Sequence, residues 1–202
     1  MASVSTLEDL VAPYCKGAPV LLIQKALMEA AREFMRFTRW HRESLAFDVT
    51  EADRSYALAP TDNTLEVFAV TAAQFDGEPL EAQIPANVRS GTEGFYFFTP
   101  PGTLKLTWDP AADVSDGLAV EMCLVVKSGE TAIPDAVLRR WGNELAYGAL
   151  ANLLDMEKTA WYSPGMARKN MALWAKGNED AHYEANNQAK AYSLSNMQNK
   201  VG

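Results

Sequence analysis

The side chains that could act as nucleophiles or metal ligands are few in this sequence and lie far apart. Its only cysteines are Cys15 and Cys123, and its only histidines are His41 and His182. Sequence distance does not exclude spatial proximity, so a Cys15–histidine nucleophile pair stays open. Zinc sites take closely spaced ligands, and neither histidine has a second histidine or a cysteine nearby. We therefore expect no metal site and two buried thiols in a reducing compartment.

Other signatures of catalysis or cofactor binding are missing from the sequence. Asp109, Asp113 and Asp116 are close together but lack the alternate spacing and closing glutamate of a calcium loop. A solvated turn explains them. The phosphate-binding GxxxxGK[ST], the dinucleotide-binding GxGxxG and the GxSxG of hydrolases do not occur. We expect a protein that is not an enzyme and that uses no cofactor.

Composition narrows the class of protein. The chain has 202 residues, 48% of them hydrophobic, which is enough to bury a core. It contains no apolar run of about 18 residues and no secretory signal, so we expect a cytosolic product that does not engage membranes. The formal net charge of -8 argues against a protein that grips duplex DNA. It suits a protein past which DNA slides, because carboxylates repel the phosphate backbone.

The first long helix is predicted from Pro19 to about Trp40 or Glu43. Proline suits a first helical turn, and apolar residues recur at three- and four-residue steps. These residues are Val20, Ile23, Leu27, Ala30, Phe34 and Phe37.

Basic residues follow another side of this helix. Arg32, Arg36 and Arg39 recur at helical spacing, with Lys25 on the same side. The stripe could contact nucleic acid, or it could meet an acidic partner surface across an interface between subunits. It could also be a solvated face that pairs with acidic residues along the same helix. The interleaved acidic residues are Glu29, Glu33 and Glu43.

The middle of the chain changes to short runs of β-branched and aromatic residues. Asp76-Gly77 predicts a hairpin turn, and Pro101-Gly102 predicts a second hairpin. The most strand-like run is 118–126. Turn dipeptides spaced as in a small sandwich or barrel are Asp62-Asn63, Asp76-Gly77, Ser90-Gly91 and Asp116-Gly117.

Two further helices follow the β region. One starts at Pro134-Asp135, and its apolar positions are Leu138, Trp141, Leu145, Ala149 and Leu153. The other starts at Ser163-Pro164 and extends to Tyr192, about 43 Å at 1.5 Å per residue. Its apolar positions are Ala167, Met171, Trp174, Ala181, Ala185 and Tyr192. Glycines inside the first of these helices, such as Gly148, indicate close helix packing.

The predicted fold class is α+β. We expect a bundle of about three main helices with an antiparallel β-sandwich or barrel inserted after the first long helix. Residues 1–46 and 130–192 would form the helical domain, and residues 47–129 the inserted β domain. Residues 193–202 would form an extended C-terminal tail.

Two blocks of the sequence resemble the head-to-tail adaptor proteins of tailed bacteriophages, of the tail-tubular-protein-A type. Together they cover both helical ends of the chain. The first block is Ala30-Ala31-Arg32-Glu33-Phe34 followed by Thr38 and Trp40. The second block is Pro134-Asp135, Trp141, Gly148-Ala149-Leu150, Leu153-Leu154 and then Trp161 before Ser163-Pro164.

The resemblance implies a ring, commonly of twelve subunits, that docks under the portal protein and extends the DNA channel. Genomic DNA would only pass through, the next neck or tail protein would bind on the far side, and the product, made in the host cytoplasm, would end in the virion. The C-terminal segment would insert into the portal ring through Tyr192, Leu194, Met197 and Val201. Subunits would meet at Arg32, Arg36 and Arg39. The alternatives are a stopper or tail terminator and, in another class, a small enzyme that uses Cys15.

Overall fold

The computed structural model describes residues 2–84 and 93–198, without the side chains of residues 2 and 189–198. The predicted α+β class is confirmed. Contacts divide the chain into a helical unit, residues 1–40 and 128–202, and a β unit, residues 41–127. The predicted junctions lay at 46/47 and 129/130. Residues 42–46 belong to the β unit because they form its first strand rather than the end of a helix.

The described elements follow one another in the predicted order. The N-terminal segment contains β1 (Ala2–Ser3), a 3₁₀ turn (Val4–Leu7) and α1 (Glu8–Val11), followed by α2 (Val20–Thr38). The β unit contains β2 (Arg42–Val49), β3 (Ser55–Ala57), β4 (Leu65–Phe75), β5 (Glu78–Pro79), β6 (Glu81–Ala82), β7 (Phe95–Thr99), β8 (Thr103–Leu106) and β9 (Val114–Val126). The chain then forms β10 (Ala132–Ile133), α3 (Asp135–Leu154) and α4 (Pro164–Gln198). None of the described helices is long and apolar enough to cross a bilayer.

Helix α2 buries most of its predicted apolar face. Leu27 and Phe34 are fully buried, whereas Val20 and Phe37 are more than half exposed, so the prediction is wrong at both ends of the stripe. The helix stops at Thr38 because Arg39 adopts a left-handed conformation with a φ of 52°. A non-glycine residue in that region ends a helix at some conformational cost.

Helix α3 starts at the predicted residue and packs on both other long helices. A Cβ at Gly148 would lie 2.9 Å from the Trp174 ring and 3.1 Å from Ala30. Gly148 therefore allows α2 and α4 to approach α3 closely. The helix departs from regular geometry at Trp141, where φ is -126° and ψ is 15°.

Helix α4 has 35 residues, about 52 Å at 1.5 Å per residue. Trp174, Ala181 and Ala185 are buried as predicted, but Met171 is about half exposed. The helix continues to Gln198, so residues 193–198 are helical and not extended. Those residues contain neither glycine nor proline, and propagation of an existing helix is easy without a breaker.

The β unit consists of two four-stranded sheets. The first sheet has the order β2-β9-β4-β5, and the second has the order β3-β8-β7-β6. All pairings are antiparallel except that between β6 and β7. Both described sheets are open at their edges and form no closed barrel, so the barrel alternative is wrong. One aromatic contact joins the sheets at Phe47–Tyr56, 6.0 Å between ring centroids, and another joins Phe75 of β4 to Trp108, just after β8, at 5.5 Å.

Turn chemistry predicts both hairpins correctly, but it is wrong about the turn at Asp116-Gly117. Asp76-Gly77 connects β4 to β5 with both residues at positive φ, and 100–102 connects β7 to β8. Asp116-Gly117 does not form a turn between strands. It lies inside β9, where Asp116 has a φ of 49° and the pairing with β2 shifts register nearby. Such an irregularity tolerates the same residue types as a turn.

Candidate interaction surface

The C-terminal end of α2 is held by hydrogen bonds within its last turn. The Thr38 hydroxyl donates to the Phe34 carbonyl over 2.8 Å and accepts from the Trp40 amide over 3.3 Å. The Arg39 amide donates to the Met35 carbonyl over 3.1 Å. These bonds satisfy groups that a helix end leaves without partners, and they fix the direction in which Trp40 leaves the helix.

Trp40 then joins α2 to both other long helices. Its ring meets Trp141 of α3 edge-on at 6.2 Å between centroids, and its indole N–H donates to Glu184 of α4 over 3.0 Å. Arg140 of α3 donates to the other oxygen of the same carboxylate over 2.8 Å. One carboxylate on α4 therefore accepts bonds from both neighbouring segments.

The electrostatics of Glu184 follow from these partners. The hydrogen bond from Arg140 lowers the pKa of Glu184 below its ordinary value, and the bond from Trp40 acts in the same direction. Partial burial opposes them. The same pairing raises the pKa of Arg140. The pair is charged at neutral pH, and its exposed edge limits its strength because the Arg140 side chain is 60% exposed.

An aromatic cluster beneath this network fixes the helices. The Phe34 ring lies 5.6 Å from Trp141 and 5.9 Å from Trp174. All three side chains are at least 93% buried. Aromatic pairs at such distances stabilise a core by more than the area they bury. The cluster therefore holds the C-terminal end of α2, and the exposed residues on it, in a fixed position.

The exposed part of this region is here called the α2–α4 surface. Its centre is the contact between Phe37 and His182, and it includes the exposed sequence neighbours Arg36, Arg39 and Tyr183. Phe37 is 58% exposed and its ring lies 6.0 Å from that of His182, while Tyr183 is 71% exposed. Exposed aromatic and arginine side chains are enriched in protein interfaces. The surface therefore suits binding to another protein.

The predicted interface arginines do not form one uniform stripe. Arg36 and Arg39 are exposed, but Arg32 is only partly exposed and Arg39 lies beyond the helix. Lys25 pairs with Glu29 at 3.9 Å on the same helix. This pair agrees with the interpretation of the stripe as a solvated face that pairs with acidic residues of α2. Glu43 does not take part in α2, because it belongs to β2 and accepts hydrogen bonds from Thr61.

The predicted docking residues lie at the end of α4. Tyr192, Leu194 and Met197 are in its last two turns, and their side chains are among those not described. Val201 lies outside the described residues. Their role as anchors stays a prediction.

A groove of about 330 Å³ lies elsewhere on the helical unit. Leu10 of α1 and Tyr14, three residues after its end, form one side, and residues of α3 and α4 form the other. Four apolar or aromatic residues at the groove are between 37% and 53% exposed, namely Leu10, Tyr14, Met166 and Leu173. Polar groups are supplied by Asn143, Tyr147, Lys169 and Asn170.

The cysteines and His41, which were candidates for catalysis or metal binding, are in unfavourable surroundings for both. Cys15 and Cys123 are buried. Burial raises the pKa of the Cys15 thiol, which opposes formation of the reactive thiolate. Burial likewise lowers the pKa of His41, against the opposing effect of Glu43. Within residues 2–84 and 93–198 no three histidine, cysteine or acidic residues are arranged to hold a metal ion.

Charge is distributed very unevenly between the two units. The β unit has five lysines and arginines against fourteen aspartates and glutamates, a formal charge of -9. The helical unit has thirteen against twelve, a formal charge of +1. The acidity of the chain therefore belongs to the insertion.

Sequence reasoning missed the contacts that build the α2–α4 surface. The apolar period of α2 predicts a buried Phe37, and the sequence offers His182 only as a possible nucleophile partner or metal ligand. Trp40 and Glu184 are 144 positions apart, and nothing in their spacing links them. The available signal is that three of the five tryptophans, Trp40, Trp141 and Trp174, fall in segments predicted to be helical.

No protein-family model matches the chain, and no curated protein matches its sequence.

Proposed function

We propose that this protein is a structural head-to-tail adaptor of a tailed bacteriophage, which forms a ring under the portal and provides a platform for the tail. One observation carries the proposal. The two sequence blocks that resemble phage adaptors, separated by more than 90 residues, pack against each other in one core.

The contacts between the blocks are specific. Phe34 and Trp40 of the first block meet Trp141 of the second at 5.6 and 6.2 Å. Ala30 lies against Gly148, close enough that a Cβ there would be 3.1 Å away. These residues are therefore the ones on which the packing of three helices depends, which is the expected role of residues that define a fold.

The second block also fixes the segment between α3 and α4. The indole N–H of Trp161 donates to the Leu153 carbonyl over 3.1 Å, and the Ser163 amide donates to the Leu154 carbonyl over 2.8 Å. Both bonds close the end of α3 just before Pro164 starts α4. The residues that carry the resemblance thus determine where the 35-residue helix begins.

Ring assembly requires two different, complementary faces on each subunit. We assign one to the α2–α4 surface, with its arginines and exposed aromatic rings. We assign the other to the groove beside Leu10 and Tyr14, whose exposed apolar side chains a neighbouring subunit would bury. The end of α4 that contains Tyr192, Leu194 and Met197 then docks on the portal.

The β unit is assigned to the passage of DNA and to the next neck protein. Its charge of -9 keeps DNA from adhering, because like charges repel phosphates over about 8–10 Å at physiological salt. We further propose that its two sheets pack face to face as a sandwich, on the basis of the aromatic contacts that join them.

The direct test is the mass of the complex formed when the full chain is mixed with the portal ring encoded in the same genome. Native mass spectrometry should show a discrete added mass equal to a whole number of chains, twelve in a typical ring. Binding to the isolated tail tube and not to the portal would replace the proposal with a stopper or tail terminator. Binding to neither would overturn both.

A further inference from the structure

Among the described residues, the outer edge of β2 is the longest regular stretch of strand edge to which no strand is paired. Strand β4 is longer and pairs with β5 only at Gln74 and Phe75, but two register shifts interrupt the rest of it. Two four-stranded sheets have four edge strands, and three of them, β3, β5 and β6, have only two or three residues. Strand β2 has eight, and only β9 pairs with it among the described strands. Proteins usually keep edge strands short because an open edge can pair with another chain.

The register shows which groups β2 offers. The Leu124 amide donates to the His41 carbonyl over 3.0 Å, so these two residues form a hydrogen-bonded pair. Such pairs alternate with non-bonded pairs along antiparallel strands. The pairs of Ser44 with Glu121 and of Ala46 with Ala119 are therefore non-bonded. Ser44 and Ala46 direct their N–H and C=O groups away from β9.

The side chains on this strand allow a close approach. Ser44 and Ala46 are exposed and small, while Leu45 and Phe47 are partly buried on the other face of the strand. The regular run ends at Phe47, where the register shifts. An added strand could therefore pair with the regular part of β2. The two residues whose backbone groups point away from β9, Ser44 and Ala46, have small side chains that would not hinder it.

Charge indicates what kind of strand would pair there. The β unit has a formal charge of -9, and acidic residues flank the edge, including Glu43, Asp48, Glu51 and Asp116. A second copy would bring another charge of -9 to the same place. We propose that the β2 edge binds an extended, lysine- or arginine-rich segment of another protein by β-strand addition. This inference depends on the β unit alone and holds whether or not the protein is a phage adaptor.

The probe is a ten-residue peptide of alternating valine and lysine with blocked ends, added to the ¹⁵N-labelled full chain. Amide exchange of Ser44 and Ala46 should be fast without peptide and at least tenfold slower with it. Exchange of Leu45 and Phe47 should be slow in both cases. The same peptide with every backbone amide methylated should give no protection, since neither of its edges can donate the hydrogen bonds of a strand pair.

Charge is tested with matched variants. Glu51→Gln combined with Asp116→Asn removes two charges near β2, and asparagine accepts the positive φ of position 116. Glu81→Gln combined with Glu93→Gln removes two near β6 and β7, at the end of the second sheet away from β3. The first pair should weaken peptide binding about fivefold and the second less than twofold.

Three results would overturn the proposal. The first is unchanged exchange of Ser44 and Ala46 at saturating peptide. The second is equal protection by the methylated peptide, which would mean attraction by charge alone. The third is protection that grows with protein concentration without peptide, which would identify a second copy as the occupant. None of these depends on portal binding, so the outcome is distinct from that of the proposed function.

Discussion

Trp40 donates its indole N–H to Glu184 across 3.0 Å, and this bond ties the residue just past α2 to the last part of α4 whose side chains are described. Arg140 completes the arrangement from α3 at 2.8 Å. Three helices distant in sequence are thereby held at one carboxylate, directly beside the exposed Phe37 and His182. The network of Trp40, Arg140 and Glu184 thus positions the residues of the α2–α4 surface, although it is not itself part of that surface.

Glu184→Gln should lower the free energy of unfolding by about 0.5–1 kcal/mol at pH 7, because the charge-assisted bond from Arg140 is lost at a partly exposed site. The folded pKa of Glu184 is depressed, so its contribution is present above the ordinary carboxyl pKa and disappears as the pH falls through the folded value. The difference between variant and parent should therefore shrink below about pH 4. Urea denaturation at several pH values measures it. Glu179→Gln, at an exposed position of the same helix, should show no such dependence.

Gly148→Ala should destabilise the helical unit by about 1–3 kcal/mol, because the new methyl group would collide with Trp174 and Ala30. The gain in helix propensity, about 1 kcal/mol, offsets only part of this effect. Gly165→Ala is the matched control, since a Cβ there meets nothing within 4 Å. Thermal unfolding should show a lower Tm for the first variant and an equal or higher Tm for the second. Equal effects would contradict the close packing.

Arg39→Gly separates stability from assembly. Glycine adopts a φ of 52° without strain, so the free energy of unfolding should stay equal or rise by up to about 1 kcal/mol. Assembly on the portal should weaken, because the interface that we propose would lose one of its arginines. Denaturation and native mass spectrometry measure the two effects. A marked loss of stability would show that the side chain of Arg39 serves the fold of the subunit.

Charge reversal tests the basic side of α2. Arg36→Glu should reduce the number of chains that assemble on the portal, whereas Lys25→Glu should leave it unchanged, because Lys25 lies about three helical turns away from the α2–α4 surface. Both substitutions change the charge by the same amount on the same helix. Similar losses from both would favour a general basic stripe, which a salt-dependent assay of duplex DNA binding would then identify.

Removal of residues 193–202 should abolish portal binding and shift the Tm by no more than about 2 °C. The last buried side chain among the described residues is Ala185, so little packing is lost. A chain in which the same ten residues are replaced by glycine and serine controls for length and should also fail to bind. Binding retained by either chain would contradict the assignment of the α4 end to the portal.

Periodicity predicted the helices well wherever the residues that end them have ordinary chemistry. Proline marks the start of α4 and Pro134 precedes α3, and both starts are confirmed. The end of α2 was missed because an arginine, not a glycine, adopts the left-handed conformation there. The prediction therefore extends the helical domain over residues 42–46, the first five residues of β2. The hairpin at Asp76-Gly77 was predictable, since both of its residues adopt positive φ.

The candidate surface was predictable only as a set of arginines. Their exposure depends on how α2 rotates against α3 and α4, which is set by Gly148, Trp141 and Trp174 together. Phe37 fits the apolar period of α2 but lies beyond the area that its neighbours cover. Its contact with His182 joins positions far apart in the sequence. Spacing along one helix contains no information about such contacts.

The β unit leaves its first and last strands side by side. Arg42 is paired with Cys123, and the His41 carbonyl accepts from the Leu124 amide, so the two ends of the insertion lie about one strand spacing apart. Because its ends are adjacent, the segment between Trp40 and Ser128 can be enlarged or replaced without moving these two residues. It can also be removed if a short linker connects them. The helical unit can thus stay constant through descent while the insertion is replaced as one piece, and relatives of this chain are expected to differ most between these two residues.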